Sequence, residues 1–205
     1  MRHVNVPVFI PHLGCPNQCV FCNQRSISEH KDFCEESVRD EIEQVLSTLR
    51  PEDQAEIAFF GGSFTGIDRK LMLELLSAAN SHIKNGSVSG IRISTRPDFV
   101  DNEVLEILKT YGVTAIELGA QSMCDEVLYK NRRGHTANDV KIASKLIKKA
   151  GFELGLQMMT GLYGSNDELD RETAKAIIAL NPETIRIYPA ITLKDTYLDE
   201  LYNSG

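Results

Sequence analysis

Apolar and polar positions along the chain alternate between two periods. Residues 4–10 form a short run rich in β-formers, and over residues 35–49 apolar side chains recur at Val38, Ile42, Val45, Leu46 and Leu49, the spacing of one helical face. Together they predict a first β/α unit. The second unit is a strand at 55–60, a Gly-rich turn, and a helix that Asp68 opens as N-cap before Leu71, Met72, Leu75 and Leu76. Residues 90–95 predict the third strand, followed by a helix over 101–111 that Gly112 ends. A fourth strand at 115–119 leads through a longer irregular stretch to a helix over 136–150. Thr136 and Asp139 open that helix in the manner of a capping box, and Gly151 closes it. Residues 153–159 predict the fifth strand, 167–180 a helix stopped at Asn181-Pro182, and 184–188 the sixth strand. Residues 195–202 read as the start of a further helix.

Regular strand–helix alternation with short connections predicts an α/β fold in which a parallel sheet is wrapped by helices. With right-handed crossovers it either stays open as a doubly wound sheet or curls into a partial (β/α)6 TIM-like barrel with outer helices. Both architectures place binding sites at the C-terminal ends of the strands, so the loops that follow strands are where chemistry is sought. No low-complexity linker divides residues 1–205, which predicts one domain. The abrupt end in a helical pattern predicts that it is the N-terminal part of a longer chain.

Composition narrows this picture. At 205 residues, 42% hydrophobic and 25% charged, the chain can bury a continuous core without disulfide staples. A formal net charge of -7 argues against a surface adapted throughout to nucleic acid or to an anionic membrane. The N-terminus lacks a secretory signal pattern and no apolar run is long enough to span a bilayer, which predicts a cytoplasmic protein with no membrane partner. Lys130, Arg132, Arg133, Lys141, Lys145, Lys148 and Lys149 form a local basic stretch with Asp139 as its single acid. It reads as a solvated helix face opposite Val140, Ile142, Leu146 and Ile147, without the aromatic interleaving of single-strand binders.

Of the five cysteines, Cys15, Cys19 and Cys22 fall within eight residues on the loop after the first strand, while Cys34 and Cys124 stand alone and read as packing residues. Three thiols so close form a metal-ligand set rather than a disulfide framework. Zinc normally takes four protein ligands, and ferredoxin-type clusters take four cysteines. His12 would complete a zinc site; otherwise the set suits a cubane cluster with one iron left open. Other strand ends carry polar and glycine motifs: Gly61-Gly62-Ser63-Phe64-Thr65, Ser94-Thr95-Arg96-Pro97-Asp98, Glu117-Leu118-Gly119-Ala120-Gln121-Ser122, Arg133-Gly134-His135-Thr136 and Gln157-Met158-Met159-Thr160-Gly161. Paired glycines let backbone approach a ligand closely, and hydroxyls beside a guanidinium suit a ribose and a carboxylate. Arg96 could equally pair with Asp98 or Asp101 and tie down its loop. Glu117 and Gln121 fall in or just beyond a parallel strand, where an unpaired carboxylate or amide is costly without a function.

The spacing CxxxCxxC, with Phe21 just before the last cysteine, resembles the signature of the radical S-adenosylmethionine (SAM) superfamily, and the ordered strand-end motifs resemble the radical SAM core of elongator-type catalytic subunits. The resemblance implies that Cys15, Cys19 and Cys22 hold a [4Fe-4S] cluster whose fourth iron is chelated by SAM, with Phe21 near the adenine. Reductive cleavage would then yield a 5′-deoxyadenosyl radical that abstracts hydrogen from substrate. It further implies that SAM lies against Gly61, Gly62 and Ser63, Thr95 and Arg96, Glu117 and Gln121, Gln157, and the sixth-strand residues Tyr188 and Pro189, with Arg133 a candidate for its carboxylate. An external one-electron donor of flavodoxin or ferredoxin type follows from the same resemblance; the substrate stays open, with tRNA one candidate, because the family's acetyl-CoA chemistry and tRNA wobble-uridine product do not transfer to the core alone. Two departures limit it. Elongator-type proteins have a longer gap between their first two cluster cysteines, and they carry an acetyltransferase domain after the barrel that has no counterpart here. The competing reading is a non-catalytic metal-binding module, zinc or iron–sulfur, or an electron-transfer module. The ordered motifs favour the enzyme, since a structural metal loop places no demand on them.

Overall fold

The computed structural model describes residues 2–10, 13–16, 19–23, 37–50 and 52–204. His12, Asn17, Gln18 and Cys34, and the first two residues of the helix expected over 35–49, lie outside the described residues. Every predicted strand is present: β1 (His3–Ile10), β2 (Gln54–Gly61), β3 (Gly90–Thr95), β4 (Val113–Gln121), β5 (Glu153–Thr160) and β6 (Thr184–Pro189). They pair in chain order in one sheet, and every pairing is parallel. Helices α1 (Ser37–Leu46), α2 (Arg69–Lys84), α3 (Asn102–Thr110), α4 (Asp125–Lys130), α5 (Ala137–Ala150), α6 (Asp167–Ala179) and α7 (Tyr197–Ser204) intervene or follow.

Strand alternation divides the sheet into an apolar face and a polar one. Val6 and Val8 of β1, Ile57 and Phe59 of β2, Ile91 and Ile93 of β3, and Ile116 and Leu118 of β4 share one core with Ile42, Leu75, Leu108, Val140, Ile147 and Ile177 of the helices. Each such fully buried aliphatic side chain contributes roughly 1.5–3 kcal/mol by leaving water. The opposite face carries Glu56, Arg92, Glu117, Gln157 and Arg186. The guanidinium of Arg186, on β6, lies 5.3 Å from the ring centroid of Phe60, on β2. Those strands are separated by three others in the sheet order, so the sheet curls on itself as a half-barrel with the polar face inside. This resolves the choice between open sheet and partial (β/α)6 barrel in favour of the barrel.

Near the start of the strands the inner face is an ion cluster. Arg92 donates to Glu56 Oε2 from Nε at 3.1 Å and from Nη2 at 3.0 Å, reaches Glu153 at 3.3 Å, and faces Glu117 at 3.6 Å. Two helices begin at caps read from sequence, Asp68 and the Thr136–Asp139 pair, while Asp101, expected as the first helical residue, is itself an N-cap. Asp68 accepts from Lys70 N and Leu71 N, Asp101 accepts from Val104 N, and Thr136 with Asp139 forms a reciprocal capping box. Three differences stand out. β4 runs two residues further at each end than expected, to Gln121. The irregular stretch after it contains the short helix α4, whose six residues are too few to display a period. Ile142, expected on the apolar face of α5, is exposed.

Candidate cofactor cleft

A cleft of about 610 Å³ opens at the C-terminal ends of the strands. One wall is the loop after β1, with Cys15, Cys19, Phe21 and Cys22. The other walls come from Gly61 and Gly62 after β2, Ser94 to Arg96 at β3, Gly119 and Gln121 of β4, Gln157 of β5, and Arg133 from the loop after α4. The structure therefore brings together residues that lie as much as 180 positions apart, from Cys15 to Asp195.

Backbone contacts fix the cysteine loop. Gly62 N donates to Ile10 O at 2.8 Å and Ser63 N to Leu13 O at 2.9 Å, so the loop lies directly on the Gly61–Gly62 turn. A Cβ on Gly62 would overlap the Leu13 carbonyl oxygen, and Gly14, at φ +73, would set a Cβ against the Ser63 carbonyl. The paired glycines thus serve the packing of the loop as well as the cleft wall. From the far side, Val20 N donates to Asn131 O at 3.3 Å, and Leu198 N at the start of α7 donates to Val20 O at 2.9 Å. Cys15 is exposed, Cys22 half-buried and Cys19 buried. Although Cys15 is exposed as a residue, partial desolvation by the protein atoms around its thiol, and then the neighbouring Cys19, hold its pKa above the ordinary value, so metal binding there releases that proton. Arg133 Nη1 lies 3.1 Å from Cys19 Sγ and Nη2 donates to Gly119 O at 2.7 Å. Among the described residues no three His, Cys, Asp or Glu side chains converge as ligands of a single ion. His12, invoked for zinc, lies outside the described residues.

Ser63 and Thr95 were expected to meet the cofactor, and their hydroxyls are engaged elsewhere. Arg96 N donates to Ser63 Oγ at 3.2 Å; Ser63 Oγ and Thr95 Oγ1 are 2.8 Å apart, Thr95 Oγ1 and Thr65 Oγ1 2.6 Å, and Thr65 donates to Phe99 O at 2.7 Å. Each hydroxyl has one proton. Because that of Thr65 goes to Phe99, the chain runs in one direction and consumes the protons of Thr95 and Ser63 in turn. The free hydroxyl on this strand is Ser94, whose Oγ is buried without a partner. Alternation could have revealed it: Ile91 and Ile93 face the core, so Arg92 and Ser94 face inward. Arg96 pairs with Asp98, as the loop-tying reading expects. Its Nε and Nη2 pair with Asp98 at 3.0 and 2.8 Å, while Nη1 stays buried and unpartnered on the cleft wall.

Gln121 is at φ +64, just after a register shift between Gly119 and Gln121 in the β4–β5 pairing. A non-glycine residue in that conformation stores on the order of 1–3 kcal/mol. The strain sets the side chain on the cleft wall, with Oε1 buried and unpartnered. Glu117 does not line the cleft; it is 1% exposed and bonds Gln157 and Arg186. Tyr188 and Pro189 are exposed at the end of β6 and are absent from the cleft lining. Sequence reasoning missed Asp195, which reaches the cleft on a loop at φ +62 and has no motif to announce it. His135, on the same loop as Arg133, is buried with Nε2 3.2 Å from Ala120 O. Burial, and then the Arg133 guanidinium, lowers its pKa to about 4.

The donor set fits an iron–sulfur cluster and SAM together. Three soft thiols line one wall. Against them stand buried polar atoms without partners among the described residues: Ser94 Oγ, Arg96 Nη1, Gln121 Oε1 and Arg133 Nε. Such groups are costly unless a ligand or water satisfies them.

The family model described as the radical SAM superfamily matches residues 9–177. A tRNA uridine(34) acetyltransferase of Methanocaldococcus infernus is 30% identical over 188 residues, 82% of this chain and 35% of the relative. The uncharacterized protein MJ0486 of Methanocaldococcus jannaschii is 30% identical over 212 residues, covering 98% of this chain and 65% of the relative. The solved structure of archaeal Methanocaldococcus infernus Elp3 superposes with a TM-score of 0.75 at 24% identity, over 99% of this chain and 49% of that one. The chain thus spans from about a third to two thirds of the length of the proteins it matches.

Proposed function

The chain belongs to the radical SAM superfamily, and from that premise we propose that it is an enzyme holding a [4Fe-4S] cluster on Cys15, Cys19 and Cys22, with S-adenosylmethionine in the cleft beside them. When bound, the two groups supply a one-electron reductive cleavage of the sulfonium and a carbon-centred radical for hydrogen abstraction from substrate. The observation that carries the reading is that three cysteines line the same cleft as four buried polar atoms with no partner among the described residues.

Within this reading each residue has a distinct task. The cysteines ligate. Arg133 donates toward Cys19 sulfur and ties it to the Gly119 carbonyl, which fixes the loop against β4. Arg96, held by Asp98, presents Nη1 to the SAM carboxylate. Ser94 Oγ and Gln121 Oε1 offer a hydroxyl and an amide oxygen to polar groups of the nucleoside, and Phe21 supplies the apolar contact for its ring. Ser63, Thr65 and Thr95 brace this wall through their hydroxyl chain.

The same reading takes a flavodoxin- or ferredoxin-type protein as electron donor and the cytoplasm, where thiols stay reduced, as the setting. Among the described residues no helix is long and apolar enough to cross a membrane. A tRNA is the first substrate to test, because a relative aligned with 82% of the chain is a tRNA uridine(34) acetyltransferase. Calorimetric titration of the cluster-loaded chain with SAM tests the site: Arg96→Ala and Gln121→Ala each weaken binding while iron content holds. Titrations indistinguishable from wild type would remove these residues from the cofactor site.

A further inference from the structure

We propose that Glu117 is a positioning residue that sets which end of the Gln157 amide faces S-adenosylmethionine, an inference that rests on the function proposed above. Glu117 sits in β4 at 1% exposure, behind the cleft wall. Each of its carboxylate oxygens has its own donor: Gln157 Nε2 reaches Oε2 at 2.8 Å and Arg186 Nη2 reaches Oε1 at 2.8 Å. Arg92 Nη1 faces Oε1 at 3.6 Å. The strand register makes the arrangement possible. Gly155 pairs with Glu117, and a Cβ there would come within 2.8 Å of Glu117 Cγ, so the missing side chain leaves room for the carboxylate beside β5. Gln157 pairs with Arg186 on the next strand, which brings both donors to one acid.

The consequence for the cofactor follows from the donor inventory. A carboxylate flanked by guanidiniums accepts hydrogen bonds and donates none. Only the NH2 end of Gln157 satisfies it; turning the amide over would set two oxygen acceptors against each other. Gln157 lines the cleft, so its Oε1 is the end left to accept from a hydroxyl or amino group of the bound cofactor. Outer partners that orient a ligand-contacting group in this way commonly matter nearly as much as the contact itself. Arg186 and Arg92 supply the opposing charge that a carboxylate buried this deeply requires.

The experiment is calorimetric titration of the full, cluster-loaded chain with SAM, together with iron analysis of each preparation. Glu117→Gln keeps the size of the side chain but offers either a donor or an acceptor, so the Gln157 amide is free to turn. The Kd rises about tenfold, the loss of one positioned hydrogen bond, with iron unchanged. Gln157→Glu brings two carboxylates together and binds more weakly still. The double variant restores a donor at 117 against an acceptor at 157 and regains most of the affinity, which a merely structural defect at Glu117 would not permit. Wild-type affinity in Glu117→Gln, or a double variant as weak as Gln157→Glu alone, overturns the proposal. Should Glu117→Gln fail to hold iron, Gln157→Met leaves the Glu117 ion pairs in place, and wild-type affinity there overturns it equally. A wild-type chain that takes up its cluster and binds no SAM refutes instead the function on which the inference rests.

Discussion

Replacing Gly62 with alanine tests the seat of the cysteine loop. The added methyl would lie inside the surface of the Leu13 carbonyl oxygen and 3.0 Å from Leu13 N, both backbone atoms that cannot rotate away. Relief requires the loop to lift, which breaks the Ser63 N to Leu13 O bond of 2.9 Å. That hydrogen bond is worth about 1 kcal/mol and overpacking a filled site costs about 1–3 kcal/mol more, for a total near ~2–4 kcal/mol. For a chain of this size each kcal/mol moves the melting temperature by about 2–4 °C, so Gly62→Ala should melt roughly 5–15 °C below wild type. The lifted loop also carries Cys15, so iron retained after anaerobic reconstitution should fall with it. Gly151→Ala is the control: φ is +89 there, nothing lies within 4 Å, and only the backbone strain of about 1–2 kcal/mol is incurred, with iron uptake intact. A Gly62→Ala protein that melts with wild type and keeps its full iron would refute the packing of loop on turn.

Arg92→Met leaves Glu56 and Glu117 buried without their shared cation, and urea denaturation should show a loss of about 3–5 kcal/mol; an unchanged midpoint would mean the inner ion cluster contributes nothing. His135 gives a pH signature. Its folded pKa of about 4 lies below the ordinary 6.5, so between those values the unfolded chain binds a proton that the native chain does not. Stability attributable to His135 is therefore fully present above about pH 6.5 and falls as pH drops toward 4, by up to about 3 kcal/mol. Comparing urea midpoints of wild type and His135→Asn across that range checks it, and parallel curves would show that the imidazole is not held neutral by burial.

Much of this architecture can be read from the chain because its signals are local. Asp68 and the Thr136–Asp139 box cap the helices they predict, since a cap needs only residues within one turn. The three cysteines and the strand-end motifs fall on one cleft because a parallel βα fold places every strand's C-terminal end on the same side. What the sequence hides is side-chain pairing between strands. Nothing local to Thr95 reveals that its hydroxyl is bound by Ser63 and Thr65, or that Ser94 holds the free one. Glu117 reads as a cofactor ligand until the β4–β5–β6 register shows it behind Gln157. Tyr188 and Pro189 are implied by the resemblance, yet they are exposed at the end of β6 and do not line the cleft. Asp195 lies on a segment tied to the cysteine loop by the Leu198 N to Val20 O bond and by Asn23 Nδ2 donating to Lys194 O, pairings that no local pattern reveals.

The central claim is that the three thiols and the cleft beside them act as one radical-generating site. The most direct measurement is anaerobic: reconstitute the chain with iron and sulfide, add dithionite and S-adenosylmethionine, and assay 5′-deoxyadenosine by chromatography. The account predicts the product from wild type and none from Cys15→Ala, Cys19→Ala or Cys22→Ala. A chain that takes up zinc in place of the cluster, or forms a cluster that never cleaves S-adenosylmethionine, would contradict it.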